Sequence, residues 1–316
     1  MPDPAGDGVL RIAVQIVLPA ADRLAARPAV LFCLPGGGMS KRYFDLGGDG
    51  DRRFSFAQAM AEHGCITVAI DPPGIGESMR IDDGYRIDPE LLATAYEAAV
   101  RSTTDALRGG LAGRAPIAEL VSIGIGHSMG AMTVVTAQAR TGLHEAMIVM
   151  GSGPYGLPEH LPPNLGDLAG DPVRARTNIA ARMRESGIPP IMDLPPSEAS
   201  RAMIGRGDPA AREALRAARA PLLTVPGFFV MIPGSWAPEA ASITTPLMLV
   251  FGDADICKDP RAVPAWFPAA NDISLVVLPE TGHNHFVHAS IGALTRRIAG
   301  WIQSLFDGAG DRPGVQ

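Results

Sequence analysis

Cysteine is scarce in this 316-residue chain: Cys33, Cys65 and Cys257 are odd in number, far apart and free of any CxxC spacing. That pattern offers neither a disulfide framework nor paired thiolates for zinc. Cys33 and Cys65 stand inside apolar runs, where a free thiol behaves as a small hydrophobe. Lysine and arginine form no run, and the formal net charge is -6, so nucleic acid is not an expected partner. No apolar stretch approaches the ~20 residues needed to cross a bilayer. The start of the chain, residues 1–14, lacks the basic and then apolar pattern of a secretory leader. The expectation is a soluble, cytoplasmic protein with no membrane partner, and a homodimer is left open. No His/Asp/Glu grouping has metal-ligand spacing, so neither a metal nor another cofactor is expected. What the chain does have is core material: 47% of residues are hydrophobic and 19% charged, which excludes a disordered polymer.

Apolar, β-branched runs alternate with helical spacing along most of the sequence. Residues 9–18, 29–34, 65–70, 120–126, 146–150, 246–251 and 273–278 read as strands. Residues 54–63, 89–107, 128–140 and 291–306 read as helices. Such alternation builds βαβ units, and strands apolar at almost every position belong to a parallel sheet covered on both faces. Residues 155–243 break the pattern. They are rich in proline, glycine and arginine, with helical patches at 173–185 and 210–220 and an apolar segment at 221–236. A stretch of that length has structure of its own. The division expected is a core of residues 1–154 and 244–316 with a cap, or lid, of residues 155–243 over the sheet's carboxyl edge. The tail, residues 308–316, is expected to fray.

The sharpest chemical signal is Gly126-His127-Ser128-Met129-Gly130, directly after a strand and directly before a helix. A turn that tight strains the serine backbone and leaves no room for side chains at the flanking positions, which accounts for both glycines. It also presents the hydroxyl at a helix N-terminus, where the Met129 amide can donate to a developing oxyanion. Pro35-Gly36-Gly37-Gly38 follows an early strand, Asp71-Pro72-Pro73-Gly74-Ile75-Gly76-Glu77-Ser78 follows the next, and Gly252-Asp253-Ala254-Asp255 and Gly282-His283 follow late ones. On these motifs the chain resembles the α/β-hydrolase superfamily from residue 29 to about 306. It departs from many members in having Leu34-Pro35-Gly36 where they carry His-Gly.

The resemblance implies an α/β fold with a mostly parallel central sheet, helices on both faces and a cap insertion. It also implies a chain order of nucleophile, acid, base. Ser128 is then the nucleophile and His283, after the last strand, its base. His285 and His288 are expected to support the site or start the last helix. The acid is Asp255 by the family's G-x-x-D arrangement, with Asp253 as the alternative and a turn-forming role otherwise. The second oxyanion donor falls on Gly37, with Gly38 the alternate, since glycines let backbone amides approach the substrate.

A serine at this place disfavours the epoxide hydrolases and haloalkane dehalogenases, which attack with aspartate. The Gly74-Ile75-Gly76 turn lacks GxGxxG and offers no dinucleotide site. Tyr155, Phe228, Phe229, Met231 and Trp236 are the candidate pocket walls, with Trp266 a further one. The activity expected is hydrolysis of a neutral, fairly hydrophobic small-molecule ester or lactone. C–C bond hydrolysis, thioester hydrolysis and perhydrolysis by the same residues are the alternatives, as is a non-catalytic receptor. C–C hydrolysis calls for a cationic carboxylate binder, for which Arg80 and Arg182 are the candidates.

Overall fold

In the computed structural model, residues 9–48, 51–111, 113–194, 205 and 207–306 are described. The central sheet has seven strands: β1 (Val14–Val17), β2 (Ala29–Leu34), β3 (Ile66–Ile70), β4 (Val121–His127), β5 (Ala146–Met150), β6 (Leu247–Ala254) and β7 (Ile273–Gly282). Their spatial order is β1-β3-β2-β4-β5-β6-β7. β1 runs antiparallel to β3, and every other neighbouring pair is parallel. β1 is shorter than the run at 9–18, whereas β6 and β7 extend past residues 251 and 278 to the motifs that follow.

The helices are α1 (Phe56–Glu62), α2 (Pro89–Gly109), α3 (Met129–Thr141), α4 (Pro172–Glu185), α5 (Pro209–Ala218), α6 (Thr224–Phe229), α7 (Ala237–Ala241) and α8 (Ile291–Phe306). Four of the starts carry a side-chain cap: Ser55 Oγ accepts from Gln58 N at 3.0 Å, Asp88 Oδ1 from Leu91 N at 2.8 Å, Asp171 Oδ1 from Arg174 N at 2.9 Å and Asp208 Oδ1 from Ala210 N at 2.8 Å. The strands' period of two divides the interior into two cores. Val30, Phe32 and Leu34 pack with Tyr96 of α2 and Val134 of α3. Leu31 and Cys33, pointing the other way, pack with Phe56 and Met60 of α1 and Leu294 and Ile298 of α8. Covering both faces is what makes the strand sequences apolar throughout.

Residues 155–243 leave between β5 and β6 and hold α4 to α7. A short ribbon pairs Ile191–Met192 with Leu222–Leu223. α5 is tied to the body at both ends. Asp208 N donates to Val287 O at 2.8 Å, Ser40 N to Ala218 O at 2.9 Å, and Ala220 N to Gly38 O at 2.9 Å. The apolar segment at 221–236 is largely core rather than wall. The expected frayed tail lies outside the described residues.

Register fixes what stands at the carboxyl edge. Leu34 pairs with Gly126 and His127 with Met150, so the loops after β2, β4 and β5 emerge side by side. Parallel α/β sheets bind ligands at this edge.

Candidate active site

Ser128 is the first residue past β4 and has φ 53° and ψ -118°. Only one other non-glycine described residue, Glu280, has positive φ. The turn is held by Ser128 N donating to Met150 O at 2.8 Å, and by Ala131 N donating to Ser128 O at 2.9 Å. A Cβ on Gly126 would lie 2.4 Å from Ala131 Cα, and one on Gly130 2.3 Å from Leu34 O. Both glycines are therefore demanded by close approach of backbone to backbone, and together they hold the serine in its strained conformation.

The turns after β6 and β7 bring Asp255 to His283. His283 Nδ1 lies 2.7 Å from Asp255 Oδ1, and His285 Nε2 2.9 Å from Asp255 Oδ2. Ile256 N donates to Oδ1 at 2.7 Å. The Asp255 side chain is fully buried, and burial alone would raise its pKa. The neighbouring His283 and the hydrogen bonds from both histidines outweigh that and hold it well below the ordinary carboxylate range. With Nδ1 turned to the carboxylate, His283 keeps Nε2 as its free ring nitrogen. Asp253 is spent elsewhere: its Oδ1 accepts from Thr281 N at 3.1 Å, joining the ends of β6 and β7.

His127 sits beneath this pair. Its Nε2 donates to His283 O at 2.8 Å, and the two rings lie 4.7 Å apart. Burial, and then the charges of His283 and His285, push its pKa well below the usual histidine value, so it stays neutral. His288 Nε2 accepts from Gly282 N at 3.1 Å and steadies the turn before His283.

The glycine loop after β2 is anchored just downstream. Lys41 N and Nζ donate to Asp71 Oδ1 and Oδ2 at 2.7 and 2.6 Å, and Lys41 also pairs with Glu77. The Gly74-Ile75-Gly76 turn closes over that aspartate. A Cβ on Gly76 would lie 2.3 Å from Asp71 Oδ2. Gly37 lies under Leu222, whose Cδ1 would be 2.6 Å from an added Cβ, whereas Gly38 has φ 77° and gives its carbonyl to Ala220.

Ser128, His283, Met129 and the three glycines line one cavity of about 620 Å³, together with Tyr155, Phe228 and Met231. Phe229 and Trp236, expected on its wall, are fully buried elsewhere. Phe229 packs under the Arg176 guanidinium, 5.4 Å from its ring centroid, and Trp236 meets Phe267 edge-on at 6.5 Å. The cause is the helical turn of α6, which shows Phe228 to the cavity and the next residue to the core. Trp266 is not on this wall either.

The profile of the alpha/beta hydrolase family matches residues 30–291. The chain belongs to this family. No curated protein matches the sequence. Among solved structures, this hydrolase is similar to the monoacylglycerol lipase of Paleococcus ferrophilus at 18% identity, with TM-score 0.62 over 94% of this chain and 99% of that one. It is similar to the proline iminopeptidase of Mycobacterium smegmatis at 20% identity, with TM-score 0.60 over 98% of each chain. It is also similar to the enol-lactonase of Burkholderia xenovorans LB400 at 17% identity, with TM-score 0.56 over 93% of this chain and 97% of that one. At such identities the likeness shows the fold alone.

Two features of the site escaped the sequence reading. One is Gly151, directly after β5. Its φ is 61°, and a Cβ on it would meet the His283 ring at 3.0 Å, so its bareness seats the histidine. The other is a basic wall. Arg212, Arg216 and Arg219 line the cavity, while Arg80 lines a separate cavity and Arg182 is tied to Asp167. The signal for it was the spacing of the three arginines along one predicted helix.

Proposed function

We propose that this hydrolase cleaves a small carboxylic ester or lactone through an acyl-enzyme on Ser128. The observation that carries the reading is a strained serine on the wall of the same cavity as His283, whose Nδ1 is held by a buried, ionised Asp255. A serine hydroxyl is a poor nucleophile until a base takes its proton. In this reading His283 Nε2 takes that proton as Ser128 Oγ attacks the carbonyl carbon. The oxyanion that forms is met by the amides of Met129 and Gly37. His283 then passes its proton to the departing alkoxide, and the alcohol leaves. Water, deprotonated by the same nitrogen, hydrolyses the acyl-enzyme and frees the acid and Ser128. In a lactone the leaving alcohol stays attached to the acyl group. Asp255 holds the tautomer and stabilises the imidazolium, and His285, on its other oxygen, holds the carboxylate in place.

Residues 155–243 act as the cap. That is supported by Leu157, Met192, Leu222, Phe228 and Met231 facing the cavity from this segment and by the ties of α5 to the body. Their apolar side chains suit an acyl or aryl group of modest length.

The test is hydrolysis of p-nitrophenyl esters of increasing chain length and of aromatic lactones, wild type beside Ser128→Ala. Turnover by the wild type that vanishes in the variant is the expected result. Absence of turnover on every ester and lactone, or equal turnover by both proteins, overturns it.

A further inference from the structure

The cavity has a charge character that ester hydrolysis alone does not require. Among the described residues, Arg212, Arg216 and Arg219 line it and no aspartate or glutamate does, in a chain of net charge -6. The three stand at i, i+4 and i+7, so α5 and the residue that follows it present them on one face. The adjacent face of α5 buries Ala211, Leu215 and Ala218, with Leu215 also reaching the cavity, which fixes the helix's rotation.

The three arginines are not equivalent. Arg216 pairs with Glu213, and Arg219 Nη2 donates to Leu194 O at 3.2 Å. Arg212 is half-buried and has no hydrogen-bond or ion-pair partner among the described residues. A partly desolvated guanidinium without a counter-charge is costly, and an incoming anion relieves that cost. Its place relative to the reacting groups is fixed as well. Asp208 N, at the start of α5, bonds to Val287 O, four residues beyond His283, and Ala220 N, after its end, bonds to Gly38 O in the glycine loop.

We propose that the cavity selects a substrate with a carboxylate at the end remote from the scissile bond, bound by Arg212 and drawn in by Arg216 and Arg219. This rests on the serine-hydrolase reading above and narrows it to monoesters of dicarboxylic acids and to lactones bearing a carboxylate. A carboxylate matches the two parallel N–H donors of one guanidinium, and the apolar wall takes the chain between the two ends.

The experiment compares mono-p-nitrophenyl adipate with p-nitrophenyl hexanoate, which differ only by a carboxylate in place of a methyl group. The wild type is expected to favour the adipate by about tenfold in kcat/KM, the preference lying in KM and shrinking at high salt. In Arg212→Gln the ratio falls to about one, and Arg212→Lys keeps part of it. A wild-type ratio of one or below, or a ratio that Arg212→Gln leaves unchanged, overturns the proposal. If the wild type hydrolyses neither ester and no other ester or lactone of the panel above, the serine-hydrolase reading fails. The carboxylate site is then judged by calorimetric titration with adipate itself: binding that Arg212→Gln abolishes supports it, and no binding to the wild type overturns it.

Discussion

The carboxyl edge of the sheet and the segment at 155–243 face each other across one cavity, and they are built on different principles. At the sheet edge the backbone dictates the residue. Gly126, Gly130, Gly151 and Gly252 each stand where a Cβ would press on main chain or on the site itself, the last only 1.9 Å from Thr281 O. Asp255 and His283 are placed by the ends of two paired parallel strands. In the segment opposite, helix rotation decides which residues of α5 and α6 face the cavity. Phe228 faces the cavity and Phe229 the core. On the proposed reading chemistry belongs to the edge and selectivity to the wall, so substitutions on the two sides are expected to have different signatures.

Ser128→Ala has the largest effect: kcat/KM falls by about 10⁴-fold or more, with an unchanged unfolding midpoint. Trp236→Ala acts on stability instead. It removes a fully buried side chain at a cost of about 3–5 kcal/mol, read as a lower urea midpoint, and leaves chain-length preference as it was. Phe228→Ala reverses that pattern, shifting preference among p-nitrophenyl esters by about tenfold with little change in stability. Were Trp236→Ala instead to reset the chain-length profile, the division between wall and core would be misdrawn.

Below these comes a dependence on pH that belongs to the core. His144 is buried between Ser122 Oγ and Tyr96 Oη, and burial pushes its pKa from 6.5 down to about 3. The unfolded chain takes up that proton near pH 6.5 and the native protein refuses it until about pH 3. Its contribution to stability is therefore complete above 6.5 and falls by about 1.4 kcal/mol per pH unit as the pH drops through that window. His127, neutral in the native state, adds in the same direction. Urea midpoints between pH 7 and 4.5 measure the slope, and His144→Gln lessens it. The smallest effect is that of His285→Phe: removing one donor from buried Asp255 lowers kcat by about fivefold with KM little changed. An equal loss in Gly151→Ala would trace to the His283 ring rather than to the carboxylate.

The sequence made the sheet, its flanking helices and the places of Ser128, Asp255 and His283 legible, because each rests on a local rule that survives into three dimensions. β2 to β5 are apolar at nearly every position since both faces are covered, and GHSMG needs its glycines for steric reasons that hold in any such turn. Two kinds of information were out of reach. The shared hold of His283 and His285 on Asp255 depends on where the chain bends after β7, which no spacing along the sequence encodes. The basic wall depends on the angle at which α5 is docked, and that is set by bonds to Val287 and Gly38, about 80 and 180 residues away along the chain.

On the proposed reading Ser128 forms a covalent bond with an acyl carbon or its analogue. The most direct measurement is reaction with a fluorophosphonate followed by peptide mass spectrometry. The predicted result is a single adduct on Ser128, absent in Ser128→Ala and formed far more slowly in His283→Ala. An adduct on another residue, or ester turnover by a protein whose Ser128 stays unmodified, contradicts it.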